Sequence, residues 1–107
     1  MKITFDVPDH LVKNVGEDFV KYASEEKKLE LLTLISKQSD YGSKNISACP
    51  VGPVTGIIVR LFDKLSRLSN LTNNFSGAEH ESVYDTTHDI ANYGTIGSMV
   101  VKGVWPE

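Results

Sequence analysis

A chain of 107 residues, 40% hydrophobic and 23% charged, has the size and composition of one soluble domain with a modest core, not of a disordered segment. Its formal net charge of −3 argues against a nucleic-acid partner, which calls for a basic surface. The single cysteine, Cys49, excludes an internal disulfide and a cysteine-based zinc site, and fits a reducing, cytoplasmic setting.

Met1 to Pro8 is charged and lacks the long apolar run of a secretory leader. No apolar stretch reaches the length that spans a bilayer, so no membrane partner is expected. In "KITFDVP", Ile3, Phe5 and Val7 alternate with Lys2, Thr4 and Asp6. That pattern predicts a half-buried strand over residues 1–8, stopped by Pro8. A lone strand cannot satisfy its own backbone, so it calls for a mate in the chain or in another copy.

Two helices are expected over residues 9–38. The first opens on Asp9 as N-cap, with Leu11, Val12, Val15, Phe19 and Val20 at helical spacing. Ser24 reads as a fresh start. The second helix follows, with Leu31, Leu32, Leu34 and Ile35 expected to face inward. Residues 39–53, rich in Gly, Pro, Ser and Asn, read as a loop long enough to suggest a functional role. Two more helices fill residues 54–102. In the first of them Ile58, Leu61, Phe62, Leu65 and Leu68 share one arc, while Arg60, Lys64 and Arg67 share the opposite arc. The last runs from about Glu79 to Val101 and ends near Gly103 and Pro106. The fold class is therefore mainly α: a single domain, 1–107, of about four helices with one short N-terminal strand.

The last helix gathers its acids. At about 100° per residue, Glu81, Asp85, His88, Asp89 and Asn92 share one arc. Gly94 and Gly97 lie opposite, where a neighbouring helix could come close. Acids at i,i+4 repel by a few tenths of a kcal/mol per pair unless something offsets them. A solvated face is the commoner arrangement. The alternative is a function: Glu81, Asp85 and Asp89 are candidate ligands for Mg²⁺, a hard cation that takes oxygen. Arg60, Lys64 and Arg67 are candidates to hold phosphate oxygens. His88 reads as a hydrogen-bonded structural histidine before a general base.

The stretches "DYG", "GIIVRLFDKLSRL" and "ESVYDTTHDIANYGTIGSM" together resemble the nucleotide-modification-associated domain family, over Ser39 to about Val101. These are small helical proteins frequent in phages, associated with modified-nucleotide metabolism. Their pattern is akin to the all-α nucleoside triphosphate pyrophosphohydrolases, which bind Mg²⁺ with acids from two helices and cut between the α- and β-phosphates. The resemblance carries over to Arg60, Lys64, Arg67, Glu81, Asp85, Asp89, Asn92 and Tyr93, with Asp40, Tyr41 and Gly42 before them. It departs from the hydrolase pattern in having Glu81-x-x-x-Asp85 where those enzymes carry E-x-x-E and E-x-x-D pairs.

The resemblance implies a phage-type, nucleotide-handling protein of the host cytoplasm that binds a nucleotide or a nucleotide-derived phosphate ligand. Asp40, Tyr41, Arg60, Lys64, Arg67, Asn92 and Tyr93 would hold the ligand. Glu81, Asp85 and Asp89 would hold Mg²⁺. A Mg²⁺-dependent pyrophosphohydrolase and a protein that only sequesters its ligand both fit these residues. A protein-interaction module is a further alternative. So is a ribbon-helix-helix DNA-binding dimer, on the strand-then-helix shape of "KITFDVPDHLVKNV". A homo-oligomer is expected in either case where the strand needs a mate.

Overall fold

The computed structural model describes residues 1–73 and 80–107, with residues 80 and 81 described by their backbone alone. Among the described residues there are five helices: α1 Asp9–Val15, α2 Glu17–Tyr41, α3 Lys44–Ser47, α4 Pro53–Asn73 and α5 His80–Lys102. The mainly helical class holds. The strand expected over residues 1–8 does not form, and Ile3 and Phe5 are 66% and 76% exposed. Its alternation is real, but no second strand exists among the described residues to take its backbone bonds.

The break between the first two helices falls at Gly16 and not at Ser24. Gly16 has φ +91°, a conformation that side chains rarely adopt, and it ends α1 while opening α2. Ser24 lies inside α2, where its hydroxyl donates to the Val20 carbonyl at 2.5 Å, four residues back, instead of capping a new helix. Asp9 is the first helical residue, and Pro8 takes the cap position without a side-chain cap bond. The loop expected over 39–53 is shorter than its composition suggests. α2 runs on to Tyr41, and the single turn of α3 occupies residues 44–47.

α5 is the organising element: it packs chiefly on α4 and secondarily on α2. The buried core consists of Ile46, Ile57 and Ile96, with Leu34, Leu61, Tyr93, Val100 and Trp105 packed around it. Gly94 and Gly97 do not serve as the expected helix contact, since a Cβ at either would meet nothing within 4 Å. The close approach occurs at Gly56. A Cβ there would lie 2.7 Å from the Cys49 sulfur.

α5 ends in a Schellman turn. The Val104 N–H donates to the Met99 carbonyl at 3.0 Å and the Gly103 N–H to Val100 at 3.1 Å, with Gly103 at φ +80°. This turn sends the chain back so that the Trp105 indole donates to the Ser43 carbonyl at 3.1 Å. The C-terminal tail is thereby fastened to the α2–α3 junction.

Candidate functional site

α2, α4 and α5 converge on one side chain. Asp89 accepts from the Lys37 ammonium through Oδ1 at 2.9 Å and from the Lys64 ammonium through Oδ2 at 2.9 Å. One carboxylate thus joins all three long helices. Burial pushes the Asp89 carboxyl up, but the bonds from Lys37 and Lys64 outweigh this and hold it below the usual carboxylate value. The bond to Asp89 raises Lys37 above the ordinary lysine value against the opposing effect of burial.

Above this node opens a cleft of about 320 Å³, at the small end of the range for ligand sites. Its charged walls are Lys37, Arg60, Lys64 and Asp89, three cations against one anion. Arg60 is aimed by a bond from Nη2 to the Asn45 carbonyl at 3.0 Å, which uses part of a fork of five N–H donors. Tyr41, Tyr93 and Trp105 supply aromatic surface, and Tyr41 is 70% exposed at its rim. Asn92 also lines the cleft. It is 7% exposed and donates to the Glu30 carbonyl at 3.0 Å, so it ties α5 to α2.

Of the residues expected to bind the ligand, Tyr41, Arg60, Lys64, Asn92 and Tyr93 come together here. Two do not. Asp40 is exposed and does not line the cleft. Arg67 lies further along α4, where its Nε donates at 3.3 Å to Thr86 Oγ1. Thr86 is 2% exposed and its hydroxyl donates to the Ser82 carbonyl at 2.6 Å, so Arg67 clamps α4 to α5.

Of the three proposed metal ligands, Asp85 and Asp89 have described side chains. Glu81's side chain lies outside the described residues, and Asp85 is exposed. Asp89 has both carboxylate oxygens occupied by lysines. No group of three or more His, Cys, Asp or Glu side chains suited to a metal occurs among the described residues. With both oxygens held by lysine ammonium groups, Asp89 is not free to take a cation in this arrangement.

His88 has the structural role its position suggests. Its Nε2 lies 2.8 Å from Glu26 Oε2, and the Tyr84 hydroxyl donates to the same oxygen at 2.7 Å. The bonds from Tyr84 and His88 hold Glu26 below its ordinary value. Lys37, Gln38, Asn45 and Trp105 are cleft residues that motif analysis misses. For Lys37 a signal exists: it stands four residues before Tyr41, hence on the same face of one helix.

Comparison with protein-family models, with characterised proteins and with solved structures gives no match to this chain. No helix among the described residues is long and apolar enough to cross a membrane.

Proposed function

We propose that the cleft binds a small phosphate-bearing ligand, a nucleotide or a nucleotide-derived molecule, with the phosphate held directly by cations. One observation carries this reading: Lys37, Arg60 and Lys64 line one cleft with a single carboxylate to balance them. Asp89 holds the two lysines in place and neutralises part of their charge. The remaining positive charge and the free N–H groups of Arg60 favour a phosphate, for which guanidinium geometry is suited. Tyr41 at the rim offers a ring on which a base can stack. The resemblance of the "DYG", R-x-x-x-K-x-x-R and D-x-x-N-Y stretches to nucleotide-modification-associated proteins supports the same ligand class.

The test is a panel of nucleoside mono-, di- and triphosphates, cyclic nucleotides and ADP-ribose, with unphosphorylated nucleosides as controls. Thermal shift and product formation are read with and without Mg²⁺. The expected result is stabilisation by phosphorylated members alone, weakened about tenfold or more by Arg60→Ala or Lys64→Ala. Asp89→Asn separates two modes. Direct cation binding predicts retained or tighter binding, because a competing negative charge is removed. Binding through an Asp89-bound metal predicts loss. Turnover that requires Mg²⁺ marks a hydrolase, and a ligand recovered intact marks a sequestering protein. Silence across the panel ends the proposal.

A further inference from the structure

Three side chains that share an apolar arc on α4 with the core-packed Leu61 are left uncovered. Ile58, Phe62 and Leu65 fall at i, i+4 and i+7 and are 59%, 70% and 55% exposed. On α2 the same holds. No residue of this 25-residue helix is buried, and Leu31, Leu32 and Ile35 are 43%, 55% and 53% exposed. At about 100° per residue these three lie on the side of α2 away from Glu30, Leu34 and Lys37, which face α5 and the cleft. An apolar face of this kind on a soluble helix normally lies against another element.

The chain exposes more surface than a compact monomer of its mass, part of it from the extended residues 1–8. A folded monomer of 11.8 kDa exposes about 5,900 Å². This chain exposes 8133 Å². The surplus, about 2,200 Å² per chain, exceeds the ~800 Å² per partner of a standard interface and falls in the range of obligate homodimers. The dimensions agree. The radius of gyration is 16.3 Å, against about 13 Å for a compact body of this length and about 17 Å for one of twice the length. The chain is a slab of 46 × 40 × 23 Å.

We infer that a second copy of this chain covers the outer faces of α4 and α2 in a two-fold homodimer. The α4 stripe suits such a contact. Its flanks are Ser66, Ser69 and Asn70, which carry no charge to repel the same residues of a copy across a two-fold axis. The dimer stands independently of the ligand proposed above, and its test does not read ligand binding.

Sedimentation velocity of the full chain from about 1 to about 100 µM, with thermal melts at the same concentrations, tests it. The expected species has twice the 11.8 kDa chain mass, and its Tm rises with protein concentration. The pairs Phe62→Glu with Leu65→Glu, and Leu31→Glu with Ile35→Glu, should each shift the mass to one chain. Should a charged pair lose helicity, Phe62→Ala with Leu65→Ala keeps helix propensity and should still weaken association tenfold or more. A wild-type chain that stays monomeric with a concentration-independent Tm overturns the inference. So does a discrete assembly larger than two chains, or a dimer unmoved by every one of these substitutions.

Discussion

The junction of α2, α4 and α5 and the outer faces of α2 and α4 make opposite use of their residues. At the junction the polar groups are partnered: Asp89 with two lysines, Arg67 with Thr86, Asn92 with the Glu30 carbonyl. No buried side-chain polar atom among the described residues lacks a hydrogen bond. On the outer faces, large apolar side chains lie in water. Among the described residues, then, buried side-chain polar groups are satisfied while hydrophobic burial is incomplete. A buried unpaired polar group costs about 1–3 kcal/mol and must be solved inside the chain. Apolar area can be buried later, by association.

The contrast is sharpest at two neighbours on α4. Ile57 is 5% exposed and Ile58 59%. Ile57→Ala should cost about 2–4 kcal/mol in denaturant unfolding through lost burial and a cavity. Ile58→Ala should cost within about 0.5 kcal/mol if its face stays in water. At concentrations where two copies associate, the second value should approach the first. Equal small effects at both positions would break the division between core and outer face.

Gly56 probes the tightest point of the core edge. Gly56→Ala forces its Cβ against the Cys49 sulfur and should destabilise by about 1–3 kcal/mol. Cys49→Ala in the same chain should recover much of that loss, and a double-mutant cycle measures the coupling. Recovery below a few tenths of a kcal/mol would mean that the strain lies elsewhere.

Gly103→Ala should cost about 1–2 kcal/mol, because φ +80° suits glycine and the Schellman turn needs it. Trp105 should then leave Ser43, and its fluorescence should report greater exposure to water.

Asp89→Asn should cost only about 1 kcal/mol, since its pairs are partly exposed and solvent screens them. The pH dependence follows from the sign of each shift. Asp89 is held below its ordinary value, so its contribution is present above about pH 4 and is lost as pH falls through the lower folded value. Lys37 is held above its ordinary value, so its contribution is complete at neutral pH and lost only in strong alkali. Acid melts of wild type and Asp89→Asn should therefore converge below about pH 4 and differ at pH 7.

Much of the site was legible in the chain. Five residues expected from the motifs to hold a ligand, Tyr41, Arg60, Lys64, Asn92 and Tyr93, line one cleft. Arg67 shares the arc of Arg60 and Lys64 but sits nearly two turns beyond Arg60, where α5 presents Thr86. Trp105 could not be placed, because its position depends on a turn at Gly103 and on a partner, Ser43, 62 residues away.

Local chemistry alone settled the helical class, the end of α5 at Gly103, and the relative angles of the charged and apolar arcs. Each of these rests on residues within a few positions of one another. Tertiary structure decided which arc faces inward. A helical period fixes the angle between Ile57 and Ile58 but not the rotation of α4 about its axis. That rotation is set by contacts distant in sequence, here the packing on α5 and the grip of Lys64 and Lys37 on Asp89. The same distant pairing tied Asp89, one of the candidate metal ligands, to two lysines, and the residues of the expected strand found no mate among the described residues.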